Sequence, residues 1–300
     1  MALDDFQRRQ RQRYLGSSDA PALAGVDPFG RNQVDVWLEK TGKLQPAKYR
    51  EDLNSPKVVG TYLESGILSW VEDSLGVRLA RDQFKIHSNG VMAANFDGLA
   101  LAASPPAVVE AKVCGMFGLP KYFDEFGDAF TDEVPDHVRI QTQHQLAVAD
   151  AQSDFPRMDL VLVPVLLARR GFVLYRVPRS QDLCDAIVEL EENFHDKYIK
   201  RDEQPPDTPS MESLKRLVRS ASAPVEIDPA DLLNWRKAKE QIKLAEEAEE
   251  QTRRVVLAAL GDAERGICEA GGISYLEQTR KAYQVSESAF RVLRFSKPKP

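Results

Sequence analysis

The stretch Met92–Val113, MAANFDGLALAASPPAVVEAKV, decides the fold. Its first half, within Val91–Ala103, is apolar and rich in small residues, and Val108–Val113 alternates polar and β-branched residues, so both halves predict strands. The SPP tripeptide at residues 104–106 predicts a turn between them. The stretch therefore predicts a β-hairpin.

Three charged residues of this hairpin can meet at one point. Glu110 and Lys112 are two residues apart on one predicted strand and share a face of it, and pairing of the strands brings Asp97 beside Glu110. Two carboxylates beside one ammonium group are costly unless a cation lies between them. Carboxylate oxygens, with the backbone carbonyl of Ala111 as a further ligand, suit Mg²⁺ or Mn²⁺.

Phosphodiester hydrolysis needs such a cluster, since a metal ion polarises the phosphoryl oxygen and acidifies a bound water. Lys112 would orient that water or offset negative charge in the transition state. The same short pattern also occurs on exposed hairpin edges with ordinary surface charges, so it predicts a nuclease only together with other signals.

The composition of the chain is that of a folded globular protein. It has 300 residues, of which 43% are hydrophobic and 29% charged, and a formal net charge of −6, so any DNA-binding surface must be local. Its three cysteines are far apart, without a metal-binding pattern, which is typical of a reducing cytoplasm. We expect no membrane-spanning segment and no signal peptide, and hence a cytoplasmic protein.

The N-terminal region predicts a seat for a phosphate group. Residues 4–13, DDFQRRQRQR, predict an arginine-rich helix, and LGSSDAPALAG at residues 15–25 predicts a turn and a second helix start. Hydroxyl and N–H groups at a helix start, next to arginines, suit a phosphate. The groups of this predicted site are the hydroxyls of Ser17 and Ser18 and the guanidinium groups of Arg8, Arg9, Arg11 and Arg13. The alternative is a solvated arginine face followed by an ordinary helix cap.

Two further predicted helices carry polar residues for the same site. In Val58–Gly76, Glu64 borders the apolar stripe, where it is either a third metal ligand or a surface carboxylate. The helix predicted for PDHVRIQTQHQLAVADA carries Gln141, Gln143 and Gln145. Their amides can hold a phosphate oxygen or a metal-bound water without adding charge, or they lie on the surface.

Prolines in DEQPPDTPS, residues 202–210, indicate the end of the first domain. The predicted organisation is a domain at residues 1–206, a linker at 207–227 and an extension at 228–300. The extension comprises a long helix over Asp228–Ala259 and two strands over Gly271–Tyr283 and Ala289–Phe295. Its apolar positions are too sparse to predict a coiled coil.

Six stretches together resemble the lambda-exonuclease-like YqaJ viral recombinases of the PD-(D/E)XK nuclease superfamily, over about residues 6–206. They are LGSSDAPALAG with FG shortly after it, VWLEKTG, GTYLE, NFDG, VEAK and VPDHVRIQTQHQLAV. The resemblance implies an α/β fold: a PD-(D/E)XK restriction-endonuclease-like core, whose mixed sheet has helices on both faces. The long C-terminal helix and a small β extension follow this core.

The resemblance also implies roles in catalysis. Asp97 and Glu110 would bind the metal ion, Lys112 would be the catalytic lysine, and Glu64 would complete the site. The expected cofactor is Mg²⁺, with Mn²⁺ as a substitute.

Further implied roles concern the glutamines and the phosphate seat. Gln143 falls where the family has its active-site glutamine, and Gln141 is the neighbouring candidate. Ser18, with Arg11 or Arg13, would hold the 5′ phosphate of the recessed strand.

The function implied by the resemblance is a DNA exonuclease that degrades linear duplex DNA 5′ to 3′ in phage-type recombination. Its implied partners are double-stranded DNA ends, a single-strand annealing protein and two further copies in a homotrimeric ring. Two other functions agree with the residues: a structure-specific endonuclease of the same superfamily, and a non-catalytic module that binds DNA ends or a partner through the C-terminal helix.

Overall fold

The computed structural model describes residues 10–45, 55–115, 125–168, 170–219 and 224–279. The chain forms two compact units, Met1–Ser220 and Ala221–Pro300. The predicted domain boundaries at residues 206 and 227 stay a prediction. No helix in these ranges is long and apolar enough to cross a membrane.

Within the described residues, the first unit contains a seven-stranded sheet. Its strands are β1 (Leu15–Gly16), β2 (Ala80–Ile86), β3 (Met92–Ala100), β4 (Ala107–Val109), β5 (Lys112–Cys114), β6 (Leu160–Leu167) and β7 (Gly171–Pro178). The helices are α1 (Ala20–Leu23), α2 (Gln33–Lys40), α3 (Pro56–Leu75), α4 (Asp136–Asp150), α5 (Gln181–Phe194) and α6 (Met211–Arg216). A π-helical turn at His195–Ile199 continues α5.

Strands β3 and β6 organise the sheet. Ala93 of β3 pairs with both Gly16 of β1 and Ile86 of β2, so these two strands flank β3 on opposite edges. β4 pairs antiparallel with β3 and parallel with β6, and β5 pairs parallel with β6 further along. β7 pairs antiparallel with β6. The sheet is therefore mixed, and the strand between β3 and β6 is split into β4 and β5.

The split corrects one expectation about the hairpin. We expected a continuous strand over Val108–Val113, but the structure interrupts it at Glu110 and Ala111. The reason is that the N–H group of Ala111 donates to Asp97 Oδ2 (2.9 Å) instead of to a neighbouring strand. The N–H group of Glu110 still donates to the carbonyl of Leu162 (3.0 Å). The gap thus places a carboxylate side chain in the middle of the sheet.

Helices cover both faces of the sheet. Val108 belongs to a core with Leu146 of α4 and Ile187 of α5, whereas the next residue, Val109, packs with Val71 of α3. Successive residues of a strand point to opposite faces, so both faces must be buried. The predicted α/β class with a mixed sheet between helices is confirmed.

Residues 210–217, which we expected in a linker, pack against the region of α2. The N–H and hydroxyl groups of Ser210 both donate to Asp35 Oδ1 (2.9 and 3.0 Å). The N–H group of Gln45 donates to the carbonyl of Arg216 (2.7 Å). Asp35 is buried, and a buried carboxylate needs such donors.

The second unit contains α7 (Pro229–Leu260) and a hairpin of β8 (Arg265–Cys268) and β9 (Gly271–Ser274). The predicted long helix is present, but β8 precedes the two strands that we expected. The predicted strand Ala289–Phe295, the end of Gly271–Tyr283 and the first residues of the arginine-rich helix lie outside the described residues.

A buried ion cluster holds the loop before α1. Asp19 accepts the N–H group of Gly16 (3.0 Å) and pairs with Lys40 (2.5 Å) and Arg31 (2.9 Å). Burial alone would raise the pKa of Asp19, but the charges of Lys40 and Arg31 hold this pKa well below its usual range. The carboxylate therefore anchors the loop by ion pairs rather than by capping α1.

Replacing Asp19 by Asn should lower the free energy of unfolding by about 3–5 kcal/mol at neutral pH, because Lys40 then keeps a buried charge without its partner. A depressed folded-state pKa stabilises the protein above the usual aspartate pKa, and this stabilisation is lost as the pH falls through the folded-state value. Urea unfolding should show that the difference between the two proteins begins to shrink below about pH 4. A difference that stays constant with pH would contradict the ion-pair argument.

Candidate active site

The gap between β4 and β5 brings charged residues of the hairpin together. The ammonium group of Lys112 donates to Glu110 Oε1 (2.5 Å), and Asp97 is joined to the same segment through the N–H group of Ala111 (2.9 Å). Glu110 is only 4% exposed. The structure thus groups the residues that the sequence pattern singled out, and their catalytic roles stay predictions.

Two glutamines of α4 hold the carboxylate of Glu110. Gln141 Nε2 donates to Oε1 (2.6 Å) and Gln145 Nε2 donates to Oε2 (2.5 Å). Gln141 Oε1 also accepts from Lys112 (2.8 Å), so this amide links the buried anion to the cation. The two glutamines share one face of α4, since residues four apart are neighbours on a helix surface.

The side chain of Gln143 lies elsewhere. Its Nε2 donates to the carbonyl of Pro178 (3.0 Å), and its Oε1 accepts the N–H group of Ser180 (2.8 Å). The structure therefore does not bring Gln143 to the cluster, because residues two apart on a helix point away from each other. Gln145, one of the three glutamines of the predicted helix but the one to which the resemblance gave no role, contacts Glu110 instead. Its four-residue spacing from Gln141 was the signal that could have identified it.

The cluster carries more negative charge than its ammonium group compensates. Burial raises the pKa of Asp97 well above its usual value, the charges of Glu110 and Glu64 raise it further, and Lys112 opposes them. Burial also raises the pKa of Glu64 on α3, and Glu110 and Asp82 add to this effect. A cation at this place would relieve the repulsion.

The donor set fits a hard cation that keeps much of its water. In the described ranges, no three His, Cys, Asp or Glu side chains are grouped so as to bind one metal ion. The available donors are the carboxylates of Asp97 and Glu110 and the carbonyl of Ala111. Mg²⁺ is commonly bound by one or two carboxylates together with water. Glu64 acts on this pair electrostatically, and its role as a third ligand stays a prediction.

His137 lies at the start of α4, close enough to the cluster to sense its charge. Burial lowers the pKa of His137 to about 4, the charge of Lys112 lowers it as well, and Asp27 raises it. The imidazole is therefore neutral at neutral pH.

The predicted phosphate seat is partly assembled. Arg11 Nη2 donates to Ser18 Oγ (3.3 Å). Ser18 is exposed, whereas Ser17 is buried. The guanidinium of Arg13 lies over the ring of Tyr14, 5.2 Å from its centroid. Of the two arginines that we expected beside Ser18, the structure places Arg11 there.

Residues 6–152 match the family model of the YqaJ-like viral recombinase domain. This match confirms the predicted resemblance for residues 6–152 and supports a nuclease.

Two solved structures are similar to this chain at low identity. An alkaline exonuclease from Laribacter hongkongensis is 14% identical, with a TM-score of 0.46 over 65% of this chain and 95% of that protein. A phage-related exonuclease from Haemophilus somnus is 16% identical, with a TM-score of 0.37 over 62% of this chain and 83% of that protein. No curated protein matches the chain.

Replacing Gln145 by Met should weaken Mn²⁺ binding about 10- to 100-fold, because Glu110 Oε2 loses its donor and the carboxylate is no longer held in one orientation. Gln143→Met is the matched control, since it removes an equally buried amide of the same helix that does not contact Glu110. We expect this control to unfold at a lower temperature with unchanged Mn²⁺ affinity. Calorimetric titration of both metal-free variants makes the comparison, and equal losses of affinity would contradict the assignment.

Replacing Asp97 by Asn should raise the unfolding temperature of the metal-free protein by a few degrees, because one of the crowded negative charges is removed. The same variant should lose the thermal stabilisation that Mg²⁺ gives the unmodified protein. Scanning fluorimetry in EDTA and in Mg²⁺ measures both effects. Asp82→Asn, which removes a nearby carboxylate outside the cluster, should keep the Mg²⁺ effect. An Asp97→Asn protein that is less stable in EDTA would refute the repulsion argument.

Proposed function

We propose that the chain is a divalent-metal-dependent exonuclease that degrades one strand of linear duplex DNA in the 5′ to 3′ direction. The observation that carries this proposal is the grouping of Asp97, Glu110 and Lys112 with Gln141 at the gap in the sheet. The YqaJ-like domain supports a nuclease, and the metal ion, the direction and the role in recombination are our proposal.

Asp97, Glu110 and the carbonyl of Ala111 would hold Mg²⁺, with Mn²⁺ as a substitute. Such an ion would polarise the phosphoryl oxygen and lower the pKa of a water molecule. Gln141 and Gln145 keep the carboxylate of Glu110 in one orientation. Because amides are neutral donors, they do so without a positive charge that would compete with the metal ion.

Lys112 is held ready for a substrate. Its ammonium group has three N–H donors, of which Glu110 and Gln141 accept two within the described residues. The remaining donor would contact a phosphate oxygen or the attacking water, where a fixed positive charge stabilises the transition state. The two contacts therefore fix the position of Lys112 relative to Glu110 before DNA binds.

End recognition would depend on the loop before α1. Ser18 and Arg11 form an exposed donor pair that suits a terminal 5′ phosphate. The ion cluster of Asp19 fixes the backbone beside Ser18, whose carbonyl accepts from Arg31 (3.2 Å). An enzyme built in this way would prefer a phosphorylated end over an interior phosphodiester.

Other expectations from the resemblance stay predictions. They are the homotrimeric ring, the single-strand annealing partner and the cytoplasmic location in a phage-type recombination system.

Digestion of a linear duplex labelled at one 3′ end tests the proposal. With Mg²⁺ we expect mononucleotides, release of the label last, and faster digestion of an end that carries a 5′ phosphate. Lys112→Ala should reduce the rate at least 1,000-fold (~4 kcal/mol of transition-state stabilisation) without changing the unfolding temperature by more than a few degrees. Ser18→Ala should reduce the preference for the 5′ phosphate and leave the rate on unphosphorylated ends nearly unchanged.

Covalently closed circular duplex separates this proposal from the alternatives. An end-dependent exonuclease must leave the circle intact, so cleavage of circular and linear DNA at similar rates would indicate an endonuclease with the same active site. Binding of ends without any product, in Mg²⁺ or Mn²⁺, would indicate a non-catalytic module.

A further inference from the structure

The helix of the second unit, α7, has an unpartnered apolar face. No residue of α7 is buried among the described residues. Two large side chains of this face, Ile242 and Val256, are exposed. Most helical stability in proteins comes from packing of one face, so a helix of this length with no buried residue lacks its main source of stability.

One face of α7 alternates large and small residues in a regular heptad. The first core position of successive heptads is Trp235, Ile242, Glu249 and Val256, and the second core position is Ala238, Ala245, Thr252 and Ala259. In an antiparallel pair of such helices, the first position of one helix packs against the second position of the other. Within the segment from Trp235 to Thr252, each first-position side chain then meets a small one, which permits close approach of the helix axes.

The charges of α7 select the direction of the pairing. Residues 236–243 contain four basic side chains and one acidic side chain, and residues 246–250 contain four glutamates and no basic residue. A parallel pair would place like blocks side by side, whereas an antiparallel pair places each basic block against the acidic block of the other helix. Two copies of this helix are therefore complementary to each other in one direction only.

We propose that α7 is the docking surface for a second copy of this chain, and that the two helices pair antiparallel with Ile242 of each copy against Ala245 of the other. This alignment also sets Trp235 against Thr252 and brings Lys239 of each copy beside Glu246 of the other, twice by symmetry. The paired segment spans about 25 residues, or roughly 38 Å. The proposal is independent of the nuclease activity, because none of these residues belongs to the first unit.

Glu249, the charged residue among the core positions of α7, agrees with this alignment. Glu249 faces Ala238 of the second copy, so the small side chain leaves room for the carboxylate to reach outward. There it is flanked by Lys237 and Lys239 of the second copy and by Arg253 of its own helix, which it pairs with at 3.8 Å. The carboxylate therefore stays solvated and compensated at the edge of the seam.

Site-specific cross-linking of the full-length chain tests the direction and the alignment. Leu232 and Arg253 lie about 32 Å apart along one helix, but the alignment places Leu232 of one copy beside Arg253 of the other. In a Cys268→Ser background, which removes the exposed native thiol, the Leu232→Cys/Arg253→Cys protein should form a covalent dimer with a short bismaleimide. Each single variant and the background itself should not.

Charge exchange tests the same pairing by a different measurement. Lys239→Glu and Glu246→Lys should each raise the dissociation constant of the dimer about tenfold, because two attractive contacts become repulsive. The protein with both substitutions should regain the original value. Sedimentation velocity of the four proteins measures association, and helix content by circular dichroism shows that α7 is intact.

The two experiments together decide the proposal. Cross-linking of the double variant alone, with rescue by the charge exchange, supports it. Cross-linking of either single variant would indicate a parallel pair and overturn it. A double variant that stays uncross-linked, with association unaffected by either charge substitution, would also overturn it and show that another part of the chain or a different partner covers α7.

Discussion

The buried carboxylate of Glu110 is the constraint on which the site and much of the sheet depend. A nearly unexposed anion is costly unless fixed donors compensate it, and here the ammonium of Lys112 and two amides of α4 do so. These donors can converge only because the strand is interrupted at this residue. Within a regular strand, the segment after Glu110 would stay in the ladder, and the N–H group of Ala111 would not be available to Asp97.

The rotation of α4 about its axis follows from the same constraint. The segment QTQHQ gives each of its polar side chains a different direction. Gln141 and Gln145 face Glu110, and Gln143 contacts the end of β7. His144 is fully buried between Glu191 of α5 (2.8 Å) and the carbonyl of Ala93 in β3 (3.0 Å). Burial alone would lower the pKa of His144, but the charge of Glu191 raises it above its usual value. The two contacts of the ring hold α4 in register with the sheet.

Sequence periodicity predicted the elements but not the contacts that connect them. The hairpin and the helices around Glu64 and Gln141 follow from hydrophobic spacing and turn residues, which are local properties. The class of the sheet was implied by the resemblance. The break at Glu110 does not, because it depends on a side chain thirteen positions earlier in the chain. The contact of Ser210 with Asp35 is equally non-local, and proline content alone therefore suggested a linker at residues that pack on the domain.

The glutamines of α4 show that neither a family resemblance nor hydrophobic periodicity is enough to assign which side chain reaches the site. A sequence match places Gln143 by its position in a motif, whereas helix geometry places side chains by their angle around the axis. Gln141 and Gln145 satisfy the angle to Glu110, and Gln143 does not. Helix α7 is the converse case: its apolar residues are too sparse to predict a coiled coil when counted by hydrophobicity, but large and small residues alternate at heptad spacing and the charges form one basic and one acidic block. Ion pairs four residues apart use part of this charge within the helix. The alternation of large and small residues, in contrast, matters only where a second helix packs against the first.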